Sequence, residues 1–370
     1  MKRRQFVKNA SLATAGGALI TGCASGETEG GAAAVQTNPR VNWRLTSSYP
    51  RSLDTIYGAA EVLANRVSEL TNGKFTIRVF PANELVPYNQ VLETVQKGTV
   101  QMGHSASYYF TGLNPALAFD CTVPFGLTAR QFNAWFYHGE GKDLTRSMFA
   151  DFNIINLPGG NTGVQMGGWF REQVGSLAEF RGLKMRIPGF GGAVMSELGV
   201  NVQVLACGEI YPALERGVID AAEWASPYDD EKLGFHQIAK NYYYPGWWEP
   251  GPNLSFYINV DAWNKLPSGY KAALEAAAAE ANVGMMASYD AKNPSAMQRL
   301  IGEKGVTMRP FSDEIMNRAR AITFDLLSAE AASDPAYRKL YESYDAWRRA
   351  SNSWLKTAEN TYSSFAFHEG

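Results

Sequence analysis

Apolar residues recur along this chain with two periods. Ile56, Ala60, Leu63, Val67 and Leu70 follow a 4-3-4-3 spacing that predicts a helix, stopped at Gly73. Before it, NWRLTSS (42–48) reads as a strand ending in small hydroxyls; after it, FTIRVF (75–80) alternates as a second strand. A short helix over 86–96 ends at Gly98, and VQMGH (100–104) gives a third strand. The order β-α-β-α-β predicts a parallel sheet with helices on its faces. Ligands of such sheets sit beyond the carboxyl ends of the strands. Here those ends carry Thr46-Ser47-Ser48-Tyr49 and His104-Ser105-Ala106-Ser107-Tyr108-Tyr109.

A loop-rich stretch follows, and then the pattern resumes. NTGVQMGGWF (161–170), LKMRI (183–187), VQVLA (202–206) and 218–224 read as strands, with helical segments at 193–198 and 210–217. LSFYINVDAWNKL (254–266) reads as a strand and then a helix start. From Ser268 the chain is helical, and KAALEAAAAEANVGMMASY (271–289) is rich in strong helix formers. A last helix over 334–364 carries Tyr337, Tyr341, Tyr344, Trp347 and Trp354. So many rings mark a partner surface if exposed, or a helix packed across both lobes if buried. Two α/β units with chain crossings between them predict a two-lobed clamp, with a ligand cleft between lobes that close about a hinge.

The N-terminus reads as a processing signal rather than as part of the fold. Residues 2–8, KRRQFVK, resemble a twin-arginine export signal. A mild apolar run (13–20) leads into Ile20-Thr21-Gly22-Cys23, which resembles a lipobox, and Cys23 is the expected lipidation site. That run is far shorter than the ~20 residues of a membrane span. Residues 1–22 are therefore assigned to the export signal. Residues 23–40, small and polar, are assigned to a flexible linker.

Composition narrows the function. At 45% hydrophobic and 12% aromatic the chain can build large cores. The formal charge is −2, and removing the four positives of the leader (Lys2, Arg3, Arg4, Lys8) leaves −6 on the remainder. That argues against nucleic acid as a partner. Cys121 and Cys207 fit no metal or haem spacing; they read as buried free thiols, with a single disulfide as the alternative.

The candidate chemistry lies in DAAEWASPYDDEKLG (220–234) and NYYYPGWWEPG (241–251), which set Glu223 beside Trp224 and Glu249 beside Trp248. Carboxylates avoid apolar surroundings unless they are paired or hold a cation. Gln165 falls in the first predicted strand of the second unit, and Arg186 ends the next. Glu223 and Trp224 end a later strand, and Glu249 lies in the aromatic loop. Strand ends gather at one edge of a parallel sheet, so these side chains are expected to meet. The plainer alternatives are a surface arginine at Arg186 and ordinary ion pairs at the two glutamates. Arg171, followed by Glu172, is the rival anion anchor. Tyr108, His104 and Asn253 are candidate ligand contacts from the first lobe and hinge. Asp229-Asp230-Glu231 are expected to start a helix, where their charge complements its N-terminus.

Taken in order, Gln165, KMRI (184–187), GEIYPALE (208–215), DAAEW (220–224), PYDD (227–230) and 242–249 resemble one family: the DctP-like substrate-binding proteins of tripartite ATP-independent periplasmic (TRAP) transporters. The closest branch binds 2-oxo acids or lactate with a metal cation, and the resemblance spans about residues 41–365. It implies an α/β, class II-like periplasmic binding protein with long C-terminal helices, and no enzyme. Residues 41–162 and 254–295 would form lobe I, 163–253 and 296–330 lobe II, and 331–370 a C-terminal segment that members of this branch exchange to form dimers.

The resemblance also implies roles. Arg186 would grip the ligand carboxylate, since its planar fork suits a bidentate pair. Gln165, Glu223, the Trp224 carbonyl and Glu249 would hold the cation, with the ligand completing the shell. Hard oxygens suit Na⁺ or Ca²⁺. Arg186, two glutamates and a monocarboxylate sum to −2, so Na⁺ leaves one negative charge and Ca²⁺ none. The expected partners are a small organic acid such as pyruvate or lactate and the membrane permease subunits, and the location is periplasmic. Two rival readings remain: a binder of a larger acid or polyol on the same fold, and an exported hydrolase using the carboxylate pair.

Overall fold

The computed structural model describes residues 38–369. The export signal, Cys23 and all of the linker up to residue 37 lie outside the described residues. No helix among those described is long and apolar enough to cross a membrane.

Two sheets organise the chain. The first contains β1 (Val41–Ser47), β2 (Phe75–Phe80), β3 (Met102–Ser105), β4 (Ile154–Asn161) and the late strand β10 (Asn253–Asn259), in the order β2-β1-β3-β10-β4. The second contains β5 (Trp169–Phe170), β6 (Lys184–Arg186), β7 (Asn201–Gln203), β8 (Ala221–Ala222), β9 (Asn241–Tyr244) and β11 (Thr307–Pro310), in the order β11-β9-β5-β8-β6-β7. β1 is parallel to β2 and β3, and β6 is parallel to β7 and β8. The sheets are nevertheless mixed, not parallel as the pattern predicts. β10 is antiparallel to β3 and β4, and β5 to β8 and β9. These are the two strands that enter a lobe from the other lobe. A chain arriving from the cleft side must run against strands that end there.

Helices cover the sheets: α1 (Gly58–Leu70), α2 (Val91–Gln96), α3 (Ala118–Cys121), α4 (Ala129–His138) and α5 (Gly141–Ala150) in the first lobe, and α6 (Gly189–Glu197), α7 (Cys207–Glu215) and α8 (Pro227–Leu233) in the second. α9 (Val260–Asn264) follows β10. The predicted stripe of α1 does face inward: Ala60, Leu63 and Val67 are fully buried. Each buried Leu or Val contributes about 2 kcal/mol.

α10 (Ser268–Gly302) is 35 residues long and serves both lobes. It packs on α1 and β4 of the first and on α8 of the second. The second-lobe contacts are specific. The Tyr289 hydroxyl donates to Asp229 at 2.6 Å, the Tyr228 amide donates to Asn293 at 3.1 Å, and Arg299 grips Glu231 with two nitrogens. The helix runs unbroken through residue 295, where the sequence reading divides the lobes.

α11 (Asp313–Ser333) packs on α6, and α12 (Pro335–Leu355) returns to α3, α4 and α5. Tyr337 and Tyr344 of α12 are buried, and the Tyr344 hydroxyl accepts from the Leu127 amide at 2.8 Å. Most of the ring-bearing face is thus core rather than surface. Beyond it, Trp354 and the rings of Tyr362 and Phe365 in α13 (Thr361–Ala366), with Phe367, are exposed. Cys121 and Cys207 are both free thiols, which rules out the disulfide alternative.

Candidate functional site

Backbone register builds the site. β6 pairs with β8 so that Arg186 lies opposite Ala222, and the Glu223 amide donates to the Arg186 carbonyl at 3.2 Å. Gln165 is tied to the aromatic loop twice: its amide donates to the Glu249 carbonyl at 3.1 Å, and its carbonyl accepts from the Gly246 amide at 2.8 Å. The Met166 amide donates to the Ala225 carbonyl at 2.9 Å, which closes the set. Asp230 fixes that corner by accepting from the Ala225 amide, the Trp169 indole and the Tyr242 hydroxyl. Asp229 and Asp230 do lie in the first turn of α8, as expected, but fully buried.

Gln165, Arg186, Glu223 and Glu249 meet here with exposures of 4%, 1%, 1% and 3%. Arg186 donates through Nη1 to the Glu223 carbonyl at 2.9 Å and to the Glu223 carboxylate, and through Nε to the Leu205 carbonyl at 3.4 Å. Its guanidinium stands 5.2 Å from the Trp224 ring centre. Burial works to lower the arginine's pKa, but Glu223 and the nearby Tyr109, Tyr108 and Glu249 raise it overall, so it stays charged. Burial pushes the Glu223 carboxyl up, against the pull of Arg186. Burial and the neighbouring Glu223 push Glu249 up further. Two acids this close, served by one arginine, lack one positive charge.

Three buried oxygens of this group have no hydrogen-bond partner: Gln165 Oε1, Glu223 Oε2 and Glu249 Oε2. The Gln165 amide is held by its Nε2, which donates to Thr162 Oγ1 at 3.1 Å. An amide oxygen and two carboxylates are hard donors, suited to Na⁺ or Ca²⁺. Among the described residues no three His, Cys, Asp or Glu side chains gather into a metal cluster. The remaining ligands of a cation here would be amide, hydroxyl or carbonyl oxygens, or the bound solute.

Between the lobes lies a small cavity lined by Tyr49, Ile56, Tyr108, Tyr109, Gln165, Arg186 and Trp224, with Thr162, Ala225, Pro252 and Leu254 completing the wall. Tyr108 meets the second lobe at Gly189, whose backbone has φ +63°. A Cβ on that glycine would stand 2.8 Å from Tyr108 Cβ.

Of the candidates, Gln165, Arg186, Trp224 and Tyr108 line the cavity, whereas Glu223 and Glu249 do not. Gln165 lies in no strand, because the predicted strand over 161–170 is instead the end of β4, a connection and the two residues of β5. Asn253, the first residue of β10, does not line the cavity. Its Nδ2 donates to the Asp120 carbonyl at 2.9 Å and to Ser255 Oγ at 3.0 Å. His104 is sealed in the core between Tyr49 and Phe256, with ring centres at 5.5 and 4.8 Å. Arg171 donates to the Leu214 carbonyl at 2.8 Å, away from the cleft. Ile56, Thr162 and Leu254 line the cavity with nothing in the sequence to mark them for it. Tyr49 sits at a flagged strand end, whereas Thr162 follows a strand whose sequence reads as loop.

Comparison with known proteins gives consistent matches. The description "Bacterial extracellular solute-binding protein, family 7" (DctP) matches residues 46–334. The chain is 51% identical to the monocarboxylate 2-oxoacid-binding periplasmic protein of Nostoc sp. (strain PCC 7120), over 99% of both chains. A TRAP transporter solute-binding protein from Bordetella bronchiseptica RB50, solved as a mixed-occupancy dimer with copurified calcium and picolinate, superposes with a TM-score of 0.88. It is 45% identical, covering 89% of this chain and 98% of that one. A TRAP periplasmic solute-binding protein from Pseudoalteromonas atlantica T6c, with bound sodium and pyruvate, gives a TM-score of 0.85 at 37% identity, covering 87% and 98%.

Proposed function

Because the chain belongs to the family-7 bacterial extracellular solute-binding proteins, a family of transport receptors and not of enzymes, we propose that it captures a small 2-oxo monocarboxylate together with a cation in the periplasm. In this reading the captured acid passes to the membrane permease subunits of a TRAP transporter. The observation that carries it is the trio of unpartnered oxygens on Gln165, Glu223 and Glu249 beside a buried arginine. Those acids need a cation, and the arginine, already paired with Glu223 through Nη1, keeps Nη2 for a further anion. A 2-oxo acid bridges the two: its carboxylate reaches Arg186, and its carboxylate and 2-oxo oxygens complete the cation shell.

Each residue then has a task. Arg186 Nη2, which donates to no described residue, binds the ligand carboxylate. Gln165, Glu223, Glu249 and the Trp224 carbonyl hold Na⁺ or Ca²⁺, and Tyr108 walls the ligand from the first lobe. Asn253 acts by bracing the start of β10 against Asp120 rather than by contact. Divalent calcium balances the site's charge and sodium leaves one negative charge, so calcium is the better match to the buried charge. The exposed rings beyond Trp354 fit exchange of the C-terminal segment with a second copy, and Cys23 fits a lipid anchor. The hydrolase reading falls with the family assignment.

The test is calorimetric titration of protein refolded free of carried-over ligand. Pyruvate, 2-oxobutyrate and lactate are each added with Na⁺, with Ca²⁺, and with a chelator in cation-poor buffer. Tight, cation-dependent binding of a 2-oxo acid, returned chemically unchanged, supports the reading. Binding of none of them contradicts it and favours a larger acid or polyol.

A further inference from the structure

We infer that the hydroxyl of Tyr49 is a ligand-binding donor of the first lobe, placed opposite Arg186 to bond an oxygen of the captured acid. The inference rests on the 2-oxo acid reading and names a residue that reading does not use.

Tyr49 follows β1 and lines the cavity together with Arg186, Gln165 and Trp224. It is 1% exposed, and its hydroxyl has no hydrogen-bond partner. The rest of the residue is fixed. Its amide donates to Ser47 Oγ at 3.2 Å, its carbonyl accepts from the Ala82 amide at 3.0 Å, and its ring packs edge-on to His104. The ring therefore has little freedom to carry the hydroxyl to another partner. Burial, with Tyr109, Cys121, Tyr257 and Glu249, raises its pKa well above that of a free tyrosine, so it remains an O–H donor. A 2-oxo acid offers only acceptor oxygens. A buried donor left unpaired is costly, and one aimed at an acceptor-only ligand is satisfied by it. Arg186 and the acids belong to the second lobe, so a bond from Tyr49 makes the ligand itself a link between lobes.

The test compares Tyr49→Phe with the wild-type protein, using pyruvate and Ca²⁺ as the probe. The Kd is expected to rise about tenfold. The Tm of the ligand-free protein should stay the same or rise, because the substitution removes an unpartnered hydroxyl and keeps the ring. A Kd within twofold of wild type overturns the inference. So does a ligand-free Tm lowered by several degrees, which would reveal a structural partner for the hydroxyl. If the wild-type protein binds no 2-oxo acid, this inference falls with the proposed function. If the wild type binds and Tyr49→Phe matches it, this inference falls alone.

Discussion

A single nitrogen of Arg186, Nη1, donates to both the backbone carbonyl and the side-chain carboxylate of Glu223. With Nε on the Leu205 carbonyl, the arginine is anchored through two of its nitrogens, and Nη2 donates to no described residue. Lysine carries the charge but not the fork. Arg186→Lys is expected to weaken pyruvate binding at least ~50-fold, by more than a hydrogen bond's worth. Arg186→Ala should abolish measurable binding. It should also cost roughly 3 kcal/mol of stability, because it strands a buried carboxylate. Titration calorimetry and urea unfolding of the two variants check both expectations.

Gly189 meets Tyr108 beside the cavity. Its φ of +63° disfavours any side chain, and an added Cβ would press on Tyr108 of the other lobe. Gly189→Ala should lower ligand-free stability by about 1 kcal/mol from the backbone alone. It should raise the Kd by tenfold or more, since closure meets the clash. Small-angle scattering should then show a smaller compaction on adding ligand than in the wild type.

Much of this arrangement is legible in the sequence. α1 is visible because its buried stripe repeats without interruption. Arg186, Glu223 and Glu249 stand out because charged residues sit beside rings and strand ends. Other parts are hidden for physical reasons. β4 reads as loop because IINLPGGN carries a proline and two glycines. Those glycines are packing choices: a Cβ at Gly159 would collide with the Phe256 ring, and one at Gly160 with Met285. The second sheet is legible only in part: β5 to β8 overlap strands expected to be longer, whereas β9 lies in a stretch that reads as an aromatic loop and β11 in one that reads as helix. β5 and β8 are two residues each, because the chain bends away at the cleft to present Gln165 and Glu223. The mixed strand directions follow from lobe crossings, which no local pattern encodes.

A second contact between lobes lies away from the ligand. Asp54, just before α1, accepts from Lys232 of α8, from Lys292 of α10 at 3.2 Å and from the Tyr228 hydroxyl at 3.1 Å. Burial opposes ionisation, but the two lysines hold the Asp54 carboxyl down to about 2. The group is half-exposed, so its effect is modest. Asp54→Asn should speed ligand release two- to fivefold at low salt, by about the worth of an exposed pair. The difference should fade as ionic strength rises. Stopped-flow dissociation at two salt concentrations measures it.

His104 supplies a pH dependence. Burial lowers its pKa to about 3, against about 6.5 in an unfolded chain. The folded form keeps it neutral, so its contribution is present above pH 6.5 and is lost as pH falls from there towards 3. The slope reaches about 1.4 kcal/mol per pH unit. Asp229 and Asp230, raised by burial to about 6 and about 7, act with the opposite sign. They are common to wild type and variant and cancel in a comparison. Urea unfolding at pH 7 and pH 5 should therefore show less acid destabilisation in His104→Asn than in the wild type.

If Glu223 and Glu249 hold a cation through which the acid is bound, acid affinity must depend on that cation. The most direct measurement is pyruvate affinity as a function of free Ca²⁺, in the wild-type protein and in Glu249→Gln. Wild-type affinity should climb about tenfold per tenfold rise in Ca²⁺ below saturation, and the variant should need far more Ca²⁺ to reach the same affinity. Pyruvate affinity that stays constant across the Ca²⁺ range in Na⁺-free buffer, or that Glu249→Gln leaves unchanged, would contradict it.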